Sequence, residues 1–150
     1  MPKMPNGYLD ALLPDEMAAK AEDIGVNKAS MSASGMFVLA VLAGSFIAFG
    51  AALSTLVSTN GETIMPYGLG RLVTGFVFSL GLILVVVGGA ELFTGNNLIV
   101  MDWANKRVTT TQVIRNWTIV YLGNFVGSFG IAILMFLGGT YTFAQGGVGL

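Results

Sequence analysis

The stretch GGAELFTGNN, residues 88–97, places two glycines, a carboxylate and a polar cluster directly after a long uncharged hydrophobic run. Hydrophobic sequence resumes at residues 98–100, so apolar residues bracket the polar cluster on both sides. At membrane depth, irregular backbone is tolerated only where protein buries it or where it lines a watery cavity. In a membrane protein this stretch therefore predicts a helix that is broken beside a permeation path.

The composition is typical of a membrane protein. Hydrophobic residues make up 54% of the 150 residues and charged residues 10%, whereas soluble domains average ~25% charged residues. The chain contains no cysteine and no histidine, so we expect no metal and no cofactor. The same absence leaves no nucleophile–base pair for an enzyme. A net charge of −1 predicts no binding to nucleic acid.

Three uncharged runs, residues 35–57, 72–90 and 117–143, are each long enough to cross a bilayer as a helix. Asn60-Gly61 predicts a turn between the first two runs. Thr109 and Gln112 have the spacing of a capping box just before the third run. The predicted fold class is an all-α integral membrane protein with three transmembrane helices, of which the second is broken.

The charged residues divide the chain into three parts. Residues 1–34 form a charged N-terminal segment, residues 35–143 a three-span membrane repeat, and residues 144–150 a glycine-rich external loop. Basic residues lie mainly before the first span and between the second and third, which predicts a cytoplasmic N-terminus in the inner membrane. The partner of the repeat is then the lipid bilayer.

The segment PDEMAAKAEDIG, residues 14–25, predicts a short amphipathic helix in the N-terminal part. We expect Gly25 to end this helix, and one face to carry Met17, Ala21 and Ile24. Either the helix packs the N-terminus against the membrane surface, or it gates or plugs a pore from the cytoplasmic side.

Small residues recur where helices are expected to meet. A stripe with four-residue spacing (Ala40, Gly44, Ala48 and Ala52) predicts close helix contact in the first span. Gly123 and Gly127 flank Asn124 in the third span, which favours helix packing with an added hydrogen bond between helices.

Glu91 is the acidic side chain of the broken stretch. An isolated carboxylate at membrane depth costs at least a few kcal/mol, so it must be protonated, paired or hydrogen-bonded. Two interpretations stay open and are compatible: Glu91 takes part in function, or it accepts backbone hydrogen bonds that hold the broken segment in shape.

Three segments together resemble the formate/nitrite transporter family: SLGLILVVVGGAELFTGNNLIV (79–100), RNWTIVYLGNFVGS (115–128) and LLPDEMAAKAEDIGVNKA (12–29). Their order and spacing resemble the N-terminal half of a family member. The resemblance implies an aquaporin-like homopentamer, in which each protomer has six spans built from two inverted repeats. This chain then represents the first repeat, and its end at a glycine-rich loop is expected to continue into a second repeat.

The resemblance also implies a pore and its residues. It places Phe78 and Leu82 at a cytoplasmic constriction, Phe93 at a periplasmic one, and Thr94 on the pore-facing loop. Glu91 is implied to anchor that loop. We also place Asn96 in the pore loop, where access of water to positions 94 and 96 would support a pore. The expected function is a channel or transporter, passive or proton-linked, for small monovalent anions or their conjugate acids: formate, nitrite or hydrosulfide.

A second function stays open beside the channel. The alanine and glycine stripes would also suit a small accessory or structural membrane subunit that packs with larger partners. The sequence favours none of the three anions and indicates neither the direction of transport nor its response to pH.

Overall fold

The computed structural model describes residues 13–59 and 64–149, which are helical and contain no strand. The helices are, in chain order, α1 (Pro14–Ser30), α2 (Ala33–Ser58), α3 (Tyr67–Val87), α4 (Phe93–Asn96), α5 (Ile99–Ala104) and α6 (Thr110–Leu137). A 3-10 turn at Thr140–Thr142 follows α6. The turn predicted at Asn60-Gly61 lies outside the described residues.

Three of these helices, α2, α3 and α6, are long and apolar enough to cross a membrane. The second of them ends at Val87, and the short helices α4 and α5 follow after the irregular segment 88–92. The predicted fold class, an all-α membrane chain with three spans of which the second is broken, is therefore confirmed.

The helix α2 is central and makes the main contacts to both α3 and α6. Its contact with α3 is close because glycines face each other there. A Cβ atom on Gly50 would lie 2.8 Å from the Phe78 carbonyl oxygen, and one on Gly81 would lie 2.9 Å from the Phe46 carbonyl oxygen. Side chains larger than hydrogen would push these two backbones apart.

The contact between α2 and α6 is closer still. A Cβ atom on Gly44 would overlap the backbone of Asn124, and one on Gly127 would overlap the Val41 carbonyl group. Gly123 lies against Ala40 in the same way. The two spans therefore meet backbone to backbone, as small-residue stripes in membrane helices allow.

The helix α1 differs from the predicted amphipathic helix in its end and in its buried face. Gly25 does not end α1, which continues beyond it, and Met17 and Ile24 are exposed. The buried positions are Gly25 and Ala29, which lie one turn apart. Gly25 is buried because it packs against Asp102 of α5. Tertiary packing thus overrides the tendency of glycine to stop a helix.

The helix α6 starts as predicted and ends earlier than its uncharged run. Thr109 and Gln112 form the predicted capping box at its N-terminus. The helix stops at Leu137, because Gly138 caps it and Gly139 adopts a left-handed conformation with φ of +71°. Residues after Gly139 therefore turn away from the helix axis although they carry no charge.

Candidate pore loop and its polar network

The segment that follows α3 leaves the helical path at two glycines. Gly88 caps α3, and Gly89 has a φ of +59°, a conformation that glycine adopts without steric cost. The chain then runs extended, and the backbone N–H of Glu91 donates to the Leu39 carbonyl of α2 at 3.2 Å. We call residues 88–98, which include α4, the pore loop.

Asn124 of α6 ties the pore loop to the other spans. Its side-chain Nδ2 donates to the Ala40 carbonyl at 2.8 Å and to the Glu91 carbonyl at 2.9 Å. Its Oδ1 accepts from the backbone N–H of Phe93 at 2.9 Å. One amide thus satisfies two backbone groups of the loop that the break in the helix would otherwise leave without partners, and it also bonds to a carbonyl of α2.

The carboxylate of Glu91 is buried, with 4% of the residue's surface exposed. Lys28 of α1 donates from Nζ to Glu91 Oε1 at 2.7 Å and to Asn96 Oδ1 at 2.9 Å. Asn96 donates from Nδ2 to Glu91 Oε2, also at 2.7 Å. Both carboxylate oxygens therefore have a partner, and one of them is paired with a cation.

Two residues of α6 complete this arrangement. Asn116 accepts from Asn96 Nδ2 at 2.9 Å and donates to the Lys28 carbonyl at 3.2 Å. Trp117 donates from Nε1 to the Asn96 carbonyl at 3.1 Å. We refer to Lys28, Glu91, Asn96 and Asn116 as the polar network, which joins α1, the pore loop and α6.

The network identifies the partners of Glu91 and corrects the placement of one residue. Glu91 is held by the side chains of Lys28 and Asn96, whereas one of the two interpretations from the sequence had backbone N–H groups as its donors. Asn96 lies in the pore loop, but its side chain is fully buried in the network and not open to water. The reason is that the side-chain amide of Asn96 bridges Lys28, Glu91 and Asn116.

Phe93 and Thr94 follow Glu91 on the short helix α4. The ring of Phe93 makes edge-on contacts with Tyr121, at 5.6 Å between ring centroids, and with Trp117 at 6.4 Å. Thr94 is exposed. The loop thus presents an aromatic ring that α6 supports from the side, next to an exposed threonine.

Phe78 and Leu82 lie one turn apart on α3, and both side chains are exposed. Their position along α2 differs from that of Phe93. Phe78 packs its backbone against Gly50, whereas the pore loop bonds to Leu39, roughly 16 Å away along the helix axis.

This order corrects the sides that the resemblance implied for the constrictions. With a cytoplasmic N-terminus, the start of α2 is its cytoplasmic end, and Phe93 lies nearer that end than Phe78 does. A periplasmic Phe93 combined with a cytoplasmic Phe78 is therefore wrong for this orientation. The reason is that α3 runs antiparallel to α2, so the pore loop that follows α3 lies nearer the start of α2.

Sequence reasoning missed Lys28, Asn116 and Trp117 as parts of the site. A buried Glu91 must be protonated, paired or hydrogen-bonded, and Lys28 is the basic residue that most closely precedes the first span. The need for a partner at Glu91 is therefore visible in the sequence, but Lys28 and Glu91 are separated by 63 positions. Only the folded chain brings them together.

Comparisons with known proteins agree with this arrangement of a broken span and a tied loop. A model of the formate/nitrite transporter family matches residues 15–149. The chain belongs to the formate/nitrite transporter family. It is 47% identical over 141 residues to the formate channel FocA of Escherichia coli K12, an alignment that covers 94% of this chain and 49% of that protein.

Two solved structures of the family share the fold. A pentameric formate channel with formate bound superimposes with a TM-score of 0.67 at 38% identity, covering 78% of this chain and 46% of the other. An ion channel of the FNT family superimposes with a TM-score of 0.73 at 26% identity, covering 83% and 50%. This formate/nitrite transporter chain spans about half the length of the curated relatives it matches.

Proposed function

We propose that this chain forms one repeat of a membrane channel or transporter for small monovalent anions or their conjugate acids, with formate, nitrite and hydrosulfide as the substrate class. The observation that carries the proposal is the pore loop. Its backbone is fixed by Asn124 and its carboxylate by Lys28, while Phe93 and Thr94 are left in position beside it.

The geometry supports two constrictions in series. Phe93 at the pore loop and the pair Phe78 and Leu82 on α3 lie at different depths along α2. Apolar rings of this kind gate by excluding water and reject hydrated ions. A substrate that passes them as a neutral acid avoids the desolvation cost of its anion, so the proposal includes passive or proton-linked movement.

The proposed assembly follows the relatives. A homopentamer in the inner membrane, with the N-terminus in the cytoplasm, is supported by the pentameric formate channel that shares the fold and by the distribution of basic residues. Each protomer then needs a second repeat of three spans to enclose its pore, because one repeat supplies only one wall.

Uptake into proteoliposomes tests the function. Formate, nitrite and hydrosulfide are compared across an imposed pH gradient, for the 150-residue chain and for any longer chain encoded with it. We expect flux when both repeats are present, and about a severalfold change in flux for Phe93→Ala and Phe78→Ala, because each removes an apolar barrier.

Phe76→Ala is the matched control on the same helix, since Phe76 is 79% exposed and lies close to Phe78 in sequence. It should leave flux unchanged. If no chain length conducts any of the three substrates, the channel is wrong and the accessory membrane subunit becomes the better function.

A further inference from the structure

The short helix α4 is held by α6 at both of its ends. At its first residue, the backbone N–H of Phe93 donates to Asn124 Oδ1 at 2.9 Å. At its last residue, the carbonyl of Asn96 accepts from Trp117 Nε1 at 3.1 Å. Both partners lie on α6, about two turns apart. The backbone of α4 is therefore fixed, and the ring of Phe93 changes position only by rotation about its own side-chain bonds.

The contacts of the Phe93 ring come from the core and from two other aromatic rings. The ring makes edge-on contacts with Tyr121, at 5.6 Å between ring centroids, and with Trp117 at 6.4 Å. Tyr121 is therefore the nearer of its two aromatic neighbours. The ring also packs against a buried cluster of α2 and α6, which consists of Met36, Ala40 and Val120.

Tyr121 differs from the other neighbours of the ring in its exposure. The residue is 59% exposed, whereas the residues of the cluster are fully buried. Trp117 in turn is needed for the bond to the Asn96 carbonyl. Replacing Tyr121 therefore leaves the packing between the spans intact and changes the surroundings of the Phe93 ring.

The ring of Phe93 has open space beside it. Phe93, Trp117 and Tyr121 line an open hollow of about 290 Å³ together with Thr118 and Leu122. A side chain that is enclosed on every side is held in its rotamer by close packing alone. Because one side is open here, the contact with Tyr121 biases the ring toward its observed position.

We propose that Tyr121 is a positioning residue for Phe93, and that it limits the size of the acid that passes the pore loop. The size limit rests on the proposed channel function, in which Phe93 forms an apolar constriction. With Tyr121 in place the ring favours one position, which admits formate more readily than acetate with its additional methyl group. Without Tyr121 the ring populates other positions, and passage of the larger acid increases more than that of the smaller one.

NMR tests the position of the ring without any transported acid. A para-fluorophenylalanine that replaces Phe93, in the longest chain containing these residues, gives one fluorine signal whose relaxation measures the order parameter of the ring. We expect the order parameter to fall in Tyr121→Ala and to keep its value in Tyr121→Phe, which retains the ring. Leu122→Ala is the matched control and should keep it too, since Leu122 lines the same hollow and is 51% exposed.

Uptake of formate and of acetate into proteoliposomes tests the size limit. An edge-on aromatic pair favours one arrangement by roughly two- to tenfold in population, so the ratio of acetate flux to formate flux should rise about three- to fivefold in Tyr121→Ala. Tyr121→Phe and Leu122→Ala should keep the original ratio. In a Phe93→Ala background, Tyr121→Ala should leave the ratio unchanged, because no ring remains to be positioned.

A purely structural role of Tyr121 predicts a different result. It would lower both fluxes alike and leave their ratio unchanged. If the alanine variant fails to fold, Tyr121→Leu gives the same comparison, because it removes the ring and keeps an apolar side chain.

An unchanged order parameter in both Tyr121→Ala and Tyr121→Leu would overturn the positioning role. A lowered order parameter with an unchanged flux ratio, or an equal rise of the ratio in the Phe93→Ala background, would overturn the size limit. If neither acid passes while the order parameter falls, the channel function and the size limit are both rejected, and Tyr121 remains the residue that positions Phe93.

Discussion

Glu91 and Asp102 are two buried carboxyl groups that the fold treats in opposite ways. Glu91 has a partner for each oxygen, namely Lys28 and Asn96. Asp102 has none among the described residues, and Gly25 lies directly over it. The first carboxyl group is compensated by a cation and an amide, whereas the second has no such partner and burial raises its pKa. Burial alone therefore does not tell which chemistry a carboxyl group has.

The largest expected effect on stability comes from removing the cation that pairs with Glu91. Lys28→Met removes the cation and leaves Glu91 buried and unpaired, so we expect a loss of about 2–4 kcal/mol in the free energy of unfolding. Thermal or SDS-induced unfolding in detergent, followed by circular dichroism, measures it. The double variant with Lys28→Met and Glu91→Gln should recover most of the loss. A double variant no more stable than the single one would show that Lys28 acts through packing alone.

A smaller effect tests the amide side of the same network. Asn116→Ala leaves Asn96 without its acceptor and the Lys28 carbonyl without its donor, which should cost about 1–2 kcal/mol in the same unfolding assay. Gln112→Ala, at the exposed start of the same helix, is a control that removes a cap and leaves the network intact. Gln112→Ala should lower the stability only through the lost cap. Asn116→Ala should also make α1 more accessible to proteolysis, because it removes the bond to the Lys28 carbonyl of α1.

At the Asp102 site, removing the ionisable group should raise the free energy of unfolding, whereas the two changes above lower it. Asp102→Asn removes an ionisable group whose folded-state pKa is raised, so we expect a gain of about 1 kcal/mol at pH 8 that vanishes once the pH falls below the ordinary pKa of 3.8. The sign follows because the stability contributed by Asp102 is present at acidic pH and is lost as the pH rises through its raised pKa. A loss of stability at pH 8 as large as that of Lys28→Met would remove the contrast between the two sites.

The smallest expected effect on stability concerns the exposed ion pairs of Arg107 with Glu22 and Asp23. Arg107→Gln removes the bonds to Glu22 and Asp23, and exposed ion pairs of this kind contribute little to stability. We expect a small loss of stability at low salt that disappears in ~1 M salt. Unfolding curves at the two salt concentrations measure it. A large and salt-independent loss would mean that Arg107 stabilises Asp102 directly.

The sequence predicted the spans because hydropathy and helix length are local properties. Three uncharged runs and the glycine pair at 88–89 were sufficient for the broken second span. The same reasoning showed that Glu91 needs a partner. It could not identify Lys28, because that contact depends on how α1 docks against the pore loop.

Other features were missed because tertiary contacts override local signals. Gly25 was expected to end α1, yet its lack of a side chain serves the contact with Asp102. Asp102 itself follows a hydrophobic run and precedes a charged turn, which is also the pattern of a solvated residue at a membrane surface. Nothing in the local pattern distinguishes a buried from an exposed carboxyl group there.

The three hydrogen bonds of Asn124 limit how fast the backbone of the pore loop can move. They join the loop backbone to α2 and α6 at one residue, so moving that backbone requires several bonds to break together. Such collective rearrangements take microseconds to milliseconds, whereas side-chain rotation takes picoseconds to nanoseconds where the side chain is free. In the proposed channel, motion at this loop on the faster timescale is therefore confined to side chains such as Phe93, while the backbone that carries them stays in place.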